Sequence, residues 1–392
     1  MSPAPRNSGA PMTVALAAGG TGGHMFPAEA LARALLARGQ RVVLITDRRG
    51  SGFGPDLPEV TAYAIAAGGI AGTNITKRLK SLTRLGFGYF QARRHLRAAG
   101  AATVVGFGGY PSVPSVLAGA HMGLKVVLHE QNAVLGRANR GLARYAHCIC
   151  TSFKQVDALP SGLKANIVVT GNPVRAAVAA IGETPYPPAE DQAPLVLLVT
   201  GGSQGAVAFN ELLPAAVALL PEELRQKLLV VQQVPGAAVD AVAAAYDGCG
   251  VAHDLRAFFD DLPARLAAAQ LVVCRAGAST VSELANAGRP AVLVPYPSAT
   301  DDHQTRNAQA LCEVGGGWLM PQKSLTAESL CERLRSLLTT PALLNQAAAA
   351  AHAGAHRNAA EKLADAVLAQ GNGEVGNGAT SHITTGKVEE AA

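Results

Sequence analysis

The chain carries Thr13-Val-Ala-Leu-Ala-Ala-Gly-Gly-Thr-Gly-Gly-His24 near its start and Leu195-Val-Leu-Leu-Val-Thr-Gly-Gly-Ser-Gln-Gly205 in its middle. Each stretch is a continuous apolar run, then a glycine-rich turn, then a helical pattern. Continuous apolar runs are typical of parallel strands that are buried on both faces. A glycine-rich turn before a helix can bind a phosphate through its backbone amides. The repeated unit predicts two Rossmann-like domains.

Further apolar runs extend both predicted sheets. They lie at 42–46, 103–105, 126–128, 149–151 and 167–170 in the first half, and at 228–232, 271–274 and 291–294 in the second. Strands that alternate with helical patterns predict an α/β fold of two doubly wound parallel sheets. Ligands of such sheets bind beyond the carboxyl ends of the strands. We therefore expect the two domains to face each other across a ligand-binding cleft.

Three segments differ in composition from the rest of the chain. The ends, 1–11 and 371–392, are polar and rich in small residues, so we expect them to be disordered. Residues 182–194 contain four prolines and predict a linker between the domains.

Length and composition exclude several classes of protein. The 392 residues suffice for two domains, and a content of 49% hydrophobic and 16% charged residues is typical of a folded chain. Aromatic residues make up only 4%, which argues against stacking surfaces for single-stranded nucleic acid. No apolar run approaches the roughly 20 residues of a membrane span, and the run 12–18 is a poor secretory signal. The six cysteines form no C-x-x-C pair, which indicates reduced thiols and argues against a zinc site.

Charge is distributed unevenly along the chain. Residues 1–175 hold 20 Lys/Arg and 6 Asp/Glu, whereas residues 176–392 hold 13 and 22. No acidic residue lies between Glu59 and Glu130, and basic and apolar residues alternate there. This composition favours an anionic partner such as a lipid surface, and a solvated basic face over an ordinary core is the alternative.

The first glycine-rich turn, 19–24, ends in His24. It lacks the G-x-G-x-x-G spacing of dinucleotide-binding proteins, because Met25 takes the place of the last glycine. Asp47 ends the next predicted strand, where such proteins carry the acid that binds the NAD ribose. The alternative for the glycine-rich turn is a tight turn that binds no ligand. A neutral imidazole can serve as a general base near pH 7, so His24 is a candidate base. A histidine that only caps or packs the loop is the other interpretation.

The second half carries two further candidate binding loops. Gly201-Gly-Ser-Gln-Gly205 can bind a phosphate, with a plain turn as the alternative. In Cys274-Arg-Ala-Gly-Ala-Ser-Thr-Val-Ser-Glu283, Thr280 and Glu283 have the spacing of a capping box, which needs no ligand. Glu283 can instead accept hydrogen bonds from both hydroxyls of a ribose.

Polar residues also follow the predicted strands 126–128 and 167–170. His-Glu-Gln-Asn at 129–132 suits either a polar cleft or a local turn network, and Arg175 suits either a phosphate or a domain boundary. Without other evidence, the loop 296–304 is interpreted as a solvated surface loop. The chain contains neither D-x-D nor a P-loop, so the metal-holding motif of one class of sugar-nucleotide transferases is missing and NTP hydrolysis is not expected.

Together, these motifs resemble those of the MurG family in identity and in order. The shared motifs are Gly-Gly-Thr-Gly-Gly-His at 19–24, Gly-Gly-Tyr at 108–110, His-Glu-Gln-Asn at 129–132, Gly-Asn-Pro-Val-Arg at 171–175, Gly-Gly-Ser-Gln-Gly at 201–205, Phe-Asp-Asp at 259–261 and Cys-Arg-x-Gly-Ala-x-Thr-Val-Ser-Glu at 274–283. The resemblance covers about residues 12–368. MurG enzymes are N-acetylglucosaminyltransferases that convert lipid I to lipid II in bacterial peptidoglycan synthesis.

The resemblance implies a GT-B glycosyltransferase. Its first domain would span 12–175 and be completed by a C-terminal helix at about 355–370, and its second domain would span 176–354. The enzyme would move N-acetylglucosamine from UDP-N-acetylglucosamine to the C4 hydroxyl of undecaprenyl-pyrophosphoryl-MurNAc-pentapeptide, lipid I, with inversion at the anomeric carbon. It would need no cofactor or metal and bind no nucleic acid. It would lie peripherally on the cytoplasmic face of the inner membrane, against anionic phospholipid.

The resemblance also implies roles for individual residues. His24 matches the family's proposed general base, Glu283 would bind the ribose and Ser203 would meet the diphosphate. The donor-binding positions would be Thr21, Gly22, Gly23, Asn132, Arg175, Ser203, Phe259, Ala278, Ser279, Thr280, Val281, Ser282, Glu283 and Gln304. The membrane-facing positions would be Ile75, Lys77, Leu79, Lys80, Leu82 and Arg84.

The chain departs from the family pattern at Met25, at 28–29 and in the loop 297–303, where His303 stands in place of a common Gln. Two other classes of function remain open at this point. One is an NAD-dependent oxidoreductase that uses Asp47, against which the missing G-x-G-x-x-G counts. The other is a basic nucleic-acid-binding module, against which the low aromatic content and the acidic second half count.

Overall fold

The computed structural model describes residues 11–20, 22–47, 53, 57–68, 75–187, 194–201 and 207–371, with the side chains of 75–82 outside the description. The described residues form two compact units. The first unit comprises 11–170 together with 360–371, and the second comprises 171–359. The tails expected to be disordered lie almost wholly outside the described residues.

The first unit is built on a parallel sheet of seven strands in the order β3-β2-β1-β4-β5-β6-β7. The strands are Thr13–Ala17 (β1), Arg41–Asp47 (β2), Thr61–Ile65 (β3), Ala101–Gly106 (β4), Lys125–Glu130 (β5), Cys148–Thr151 (β6) and Asn166–Val169 (β7). The helices between them are Gly22–Leu36 (α1), Ile75–Ala98 (α2), Gly109–His121 (α3) and Arg137–Leu142 (α4). The chain reverses its direction of travel across the sheet between β1 and β4, so the loops after these two strands diverge and leave room for a ligand.

The second unit repeats this plan with six parallel strands in the order β10-β9-β8-β11-β12-β13. The strands are Leu195–Thr200 (β8), Leu228–Gln233 (β9), Ala252–Arg256 (β10), Leu271–Cys274 (β11), Ala291–Leu293 (β12) and Gly317–Leu319 (β13). The helices are Ala176–Ile181 (α5), Val207–Ala218 (α6), Glu222–Lys227 (α7), Val239–Gly248 (α8), Leu262–Ala268 (α9), Ala278–Ala287 (α10), His303–Glu313 (α11), Ala327–Leu338 (α12) and Pro341–Ala353 (α13). Here the reversal falls between β8 and β11.

The last described helix, Ala359–Gly371 (α14), belongs to the first unit from residue 360 onward. Its buried Leu363 and Val367 share an apolar core with Leu16 of β1 and with Leu31 of α1. The opposite face of the same sheet is covered by residues of α2 and α3. The first sheet is thus buried on both faces, which is why its central strands are continuous apolar runs.

Ten strands were predicted and all ten are present, with ends that differ by at most two residues. Three of the strands in the described part of the chain were missed: β3, β10 and β13. Each lies at an edge of its sheet and is only partly buried, so it carries no continuous apolar run.

The predicted linker is wrong in its described part. Residues 182–187 belong to the second unit, which begins at Gly171. The Tyr186 hydroxyl donates a hydrogen bond to the Gln270 carbonyl at 2.5 Å, and the ring packs against the core of the second unit. The prolines at 185 and 187 therefore flank a packed segment. Over the described residues, no helix is long and apolar enough to cross a membrane.

Candidate active site

The carboxyl ends of β1, β4 and β5 lie side by side in the first sheet, so the loops that follow them meet at one edge. The loop after β1 passes through Gly20, whose φ of +90° favours glycine. The loop after β4 passes through Gly108 and Gly109, with φ of +82° and +69°. These glycines let the backbone turn tightly beneath the start of α1.

His24 is the third residue of α1 and is half-buried. Its Nδ1 lies 3.1 Å from Oε1 of Gln131. A Cβ at Gly109 would lie only 3.3 Å from His24 Nε2, and one at Gly108 would lie 3.6 Å from Cε1. The imidazole therefore lies over a surface that two glycines keep clear. The structure fixes the ring through a side chain 107 residues away, which a loop-capping histidine does not require.

Two further predicted positions, Gly22 and Gly23, lie half-buried in the first turn of α1. A Cβ at Gly22 would lie 2.8 Å from the ring of Phe26, so this position is also kept small by a close neighbour. Thr21 lies outside the described residues.

The segment 129–132 forms the turn network that was one of its two interpretations. Strand β5 runs two residues further than predicted and includes Glu130, which is buried. The Glu130 carboxylate accepts hydrogen bonds from the Asn132 backbone amide at 3.0 Å, from the Gly136 amide at 2.8 Å and from Asn139 Nδ2 at 2.9 Å. Asn132 Nδ2 also donates to Glu130, at 3.3 Å, so Glu130 organises the loop that carries Asn132.

Of the segment 129–132, only Asn132 was assigned a site role from the sequence, so the contacts of Gln131 were missed. It is buried, and it contacts both His24 and His129. The shared motif His-Glu-Gln-Asn marked the segment 129–132, but nothing in the sequence indicated the contact of Gln131 with His24, 107 residues away.

In the second unit, helix α10 begins at Ala278, with Gly277 as its N-cap. Thr280 is therefore inside the helix and cannot cap it, so the capping-box interpretation of Thr280 and Glu283 is wrong. Within the described residues no side chain caps this helix, and its C-cap is Gly288, whose left-handed conformation has a φ of +60°.

The Glu283 carboxylate is paired with Arg175. Arg175 Nε donates to Glu283 Oε1 at 2.8 Å, and Nη2 donates to Oε2 at 3.1 Å. Both side chains are partly buried, with 15% of the Glu283 side chain exposed. Such a two-bond pair fixes the plane of the carboxylate. The sequence suggested a phosphate or a domain boundary for Arg175, whereas in the structure its guanidinium orients a carboxylate.

The remaining predicted positions of α10 divide into two groups. Ala278 and Val281 are buried, so their side chains pack within the protein. Ser279, Thr280 and Ser282 are half-buried, as is Glu283. The polar side of the first turns of α10 is therefore the part that a ligand can reach.

Gln304 and Arg275 tie together the loops that follow β11 and β12. Gln304 Oε1 accepts hydrogen bonds from the backbone amides of Ala276 at 3.2 Å and Tyr296 at 2.9 Å. Arg275 Nη1 donates to the carbonyls of Val294 and Pro295 at 3.1 and 3.2 Å, and burial lowers the pKa of Arg275. Gln304 belongs to helix α11 and not to a solvated loop, and Ser203 lies outside the described residues.

Phe259, a predicted donor-binding position, is buried, and the Arg265 guanidinium lies 4.4 Å from its ring centre. The preceding Phe258 is 68% exposed. Arg265 also donates to Asp254 Oδ2 at 2.6 Å. Burial by itself would raise the pKa of Asp254, but the hydrogen bonds from Arg265 and Arg256 lower it.

The predicted membrane-facing residues lie on α2. Arg84 is exposed, whereas the side chains of Ile75, Lys77, Leu79, Lys80 and Leu82 lie outside the described part. Further along the helix, Phe87 and Phe90 are 62% and 68% exposed. Phe90 lines a surface depression of about 400 Å³ together with Arg93, Arg94 and Arg97.

The chain matches two family models that together cover most of its length. Residues 14–151 match the glycosyltransferase family 28 N-terminal domain, and residues 196–366 match the family 28 C-terminal domain. These matches and the two parallel-sheet units define a glycosyltransferase of the GT-B class that uses a UDP-sugar, as predicted. This result displaces the oxidoreductase alternative, and Asp47 is a buried residue at the end of β2.

Comparison with individual relatives identifies the family within this class. The chain is 54% identical to the UDP-N-acetylglucosamine--N-acetylmuramyl-(pentapeptide) pyrophosphoryl-undecaprenol N-acetylglucosamine transferase of Rhodospirillum centenum, over 93% of this chain and 96% of the relative. The transferase of the same name from Paramagnetospirillum magneticum is 51% identical, over 91% and 96% of the two chains. The crystal structure of Acinetobacter baumannii MurG is similar with a TM-score of 0.72 and 32% identity, over 91% of this chain and 99% of that one. The chain belongs to the MurG family of N-acetylglucosaminyltransferases of peptidoglycan synthesis.

Proposed function

We propose that this chain transfers N-acetylglucosamine from UDP-N-acetylglucosamine to the C4 hydroxyl of the MurNAc unit of lipid I and thereby forms lipid II. The names of relatives up to 54% identical support this choice of donor and acceptor. The observation that carries the catalytic part of the proposal is the imidazole of His24, held by Gln131 over two glycines at the carboxyl edge of the first sheet.

His24 is the general base of the proposed reaction. The C4 hydroxyl attacks the anomeric carbon of the donor sugar, and His24 takes the hydroxyl proton as the new bond forms. The bond from the anomeric carbon to the UDP oxygen breaks in the same step, so the configuration inverts and UDP leaves with the electron pair. In this reaction the donor sugar contacts Gly22 and Gly23, in the first turn of α1, and Asn132, in the loop after β5.

Glu283 binds the ribose of the donor. A carboxylate has about four positions at which it can accept a hydrogen bond, and Arg175 takes one on each oxygen. Each oxygen therefore retains capacity for one further donor, which matches the two hydroxyls of a ribose. Arg175 acts here through Glu283, because its Nε and Nη2 already donate to the carboxylate.

Backbone amides stabilise the leaving diphosphate. The first turn of a helix presents unpaired N–H groups and a partial positive charge. Among the described residues, no side chain caps helix α10, so none of them takes up its first-turn amides as a cap. In the proposed reaction, these amides and those of the loop 201–205 perform the role that a metal ion has in other transferases.

The test is the transfer of labelled N-acetylglucosamine from the UDP-sugar to a lipid I analogue, with and without EDTA. Transfer that survives EDTA is the expected result. Transfer that is lost with EDTA and restored by a divalent cation contradicts the leaving-group part of the proposal. Donor binding without transfer contradicts the choice of acceptor, and the absence of donor binding contradicts the proposal as a whole.

The enzyme acts from the cytoplasmic face of the inner membrane, where it binds anionic phospholipid through α2. Two exposed phenylalanines beside three arginines can place apolar rings among acyl chains while the guanidinium groups bind headgroup phosphates. The same surface lies in the acid-free part of the sequence, so no acidic side chain between 60 and 129 opposes the interaction.

Sedimentation with phosphatidylglycerol vesicles tests this surface. The double substitution Phe87→Ser and Phe90→Ser should reduce the bound fraction, and neutral phosphatidylcholine vesicles should bind the native chain weakly. Leu219→Ser, at an exposed apolar residue of the second unit, is the matched control. Unchanged vesicle binding of the Phe87/Phe90 variant contradicts the assignment of this surface.

A further inference from the structure

Gln131 lies between two histidines at the end of β5 and is only 3% exposed. Its Oε1 is 3.1 Å from His24 Nδ1. Its Nε2 is 2.9 Å from His129 Nδ1 and 3.2 Å from the backbone carbonyl of His129. Both ends of the amide therefore have partners, and the amide links the proposed base to the strand.

The backbone carbonyl of His129 determines the orientation of the Gln131 side-chain amide. A carbonyl oxygen only accepts hydrogen bonds, so the group facing it must be the NH₂ of Gln131. The reverse orientation would place two acceptor oxygens 3.2 Å apart in a buried site. The orientation of a glutamine amide has to be assigned from its hydrogen-bond network, and here the backbone decides it.

The orientation of the amide determines the tautomer of His24. With its NH₂ group at His129, Gln131 presents its carbonyl oxygen to His24 Nδ1, so this nitrogen must carry the proton. In a neutral imidazole, the other nitrogen then has the lone pair. His24 Nε2 lies close to Gly109, where an added Cβ would be only 3.3 Å from this nitrogen.

We infer that Gln131 is a positioning residue, which holds His24 as the Nδ1–H tautomer. Nε2 is then the atom that takes the proton from the C4 hydroxyl of lipid I. The inference rests on the proposed role of His24 as the base. Gln131 does not touch the reacting atoms; it acts through the imidazole. A base held in the other tautomer presents a hydrogen where a lone pair is required.

The groups that orient Gln131 are themselves held by buried hydrogen bonds. His129 is fully buried, and its carbonyl also accepts a hydrogen bond from Asn139 Nδ2 at 3.1 Å. Asn139 Nδ2 in turn donates to the buried Glu130 at 2.9 Å. The carbonyl that orients Gln131 is thus itself fixed by the strand and by the loop after it.

The direct test is nitrogen NMR of the His24 ring, in protein labelled with ¹⁵N-histidine and assigned through His24→Ala. We expect a protonated Nδ1 and an unprotonated Nε2 in the native chain. Gln131→Met removes the acceptor at similar length and should lower the Nδ1–H population. If Gln131→Met does not fold, the native chain alone tests the inference, because an unprotonated Nδ1 in its His24 ring signals overturns it.

Gln40→Met is the matched control, because Gln40 is also a buried glutamine of the first unit but bonds to the Met12 amide and the Arg38 carbonyl. It should change neither the His24 signals nor turnover.

Gln131→Met should lower kcat at least about 10-fold with KM for the donor nearly unchanged, within the range expected when general-base catalysis is impaired. In a His24→Ala background it should cause no further loss, since both changes remove the same function.

The outcomes separate the inference from the proposed function. Unchanged His24 ring signals in Gln131→Met overturn the inference, whatever the activity. A further large loss in the His24→Ala background also overturns it, because it shows a role independent of the imidazole. If His24→Ala keeps near-native turnover while Gln131→Met still shows the tautomer shift, the proposed base is overturned. The control of the His24 tautomer by Gln131 then stands.

Discussion

His24 in the first unit and Glu283 in the second are fixed by different kinds of hydrogen bond. His24 is held by a neutral amide, which is itself oriented by a backbone carbonyl. Glu283 is held by a guanidinium in a two-bond ion pair. Both partners are distant in sequence, by 107 and 108 residues. Each contact therefore depends on the completed fold of its own unit.

The difference follows from what each side chain has to do. A general base must be neutral before the reaction and must accept a proton during it, so a neutral partner suits it better than a fixed charge. A group that binds ribose hydroxyls need only accept hydrogen bonds throughout, and a guanidinium that bonds to both carboxylate oxygens fixes the plane in which they do so. The comparison predicts that losing the amide partner affects turnover, whereas losing the ionic partner affects donor binding.

The largest effect is expected at the base itself. His24→Ala should lower kcat by roughly 10²-fold or more, because a general base contributes about that much. Donor affinity should change little. Steady-state transfer kinetics with the lipid I analogue measure both, and His121→Ala, at an exposed histidine of the same unit, is the control. Near-native turnover would remove His24 from the role of base.

The second prediction concerns the ion pair. Glu283→Gln retains the shape of the side chain but weakens its bonds to the hydroxyls and to Arg175, so KM for the UDP-sugar should rise on the order of 10- to 100-fold. Arg175→Met should raise the same KM less, and the double variant should not show the sum of the two effects. Glu332→Gln, at an exposed position on α12, is the control. A fall in kcat with an unchanged donor KM would contradict the distinction between the two regions.

The contrast between the regions also shows what the sequence can and cannot predict. The central strands were predictable because burial on both faces requires continuous apolar runs. Strand β3, Thr61-Ala-Tyr-Ala-Ile65, lies at an edge with three exposed residues and gives no such pattern. Strands β10 and β13 were missed for the same reason.

The site residues also divide into those that the sequence predicts and those that it does not. The positions of His24 and Glu283 after central strands follow from local sequence, and so does their general chemistry. Their partners do not, because contacts over more than 100 residues are set by which strands become neighbours. Sequence alone could not separate a capping role for Glu283 from a ligand role. The capping role is excluded by the structure, because α10 begins at Ala278 and Thr280 lies inside the helix.

A third prediction tests how closely the backbone fits the imidazole. Gly109→Ala places a Cβ about 3.3 Å from His24 Nε2 and strains a residue with φ of +69°. The strain should cost about 1–2 kcal/mol of stability, and the displaced ring should lower kcat by roughly 10-fold. Gly123→Ala is a matched control, since its φ is +77° and no atom of the described neighbours lies within 4 Å of the added Cβ. Equal kcat for the two variants would mean that the glycine pair serves only the turn.

The smallest effect concerns the ion pairs that support the second unit. Hydrogen bonds from Arg265 hold the pKa of Asp254 below its usual value. A carboxyl whose pKa is lowered by folding stabilises the folded state above its unfolded pKa, near 3.9, and this contribution is lost as pH falls through the folded pKa. Arg265→Met should therefore lose stability at pH 7, by about 1 kcal/mol for a partly exposed pair. The difference from the native chain should shrink towards pH 3, while the part due to stacking on Phe259 should remain.

Trp318 allows this last prediction to be measured in the whole chain. It is the one tryptophan of the sequence, it lies in β13 and it packs against the core of the second unit. Urea titration followed by its fluorescence therefore reports on that unit even if the two units unfold separately. A loss of stability in Arg265→Met that is the same at pH 7 and pH 3 would show that packing of the guanidinium on Phe259, and not charge, is what stabilises this part of the second unit. In that case the Glu283–Arg175 pair would be the one ion pair of this comparison with a role that depends on charge, and that role would be in binding the donor.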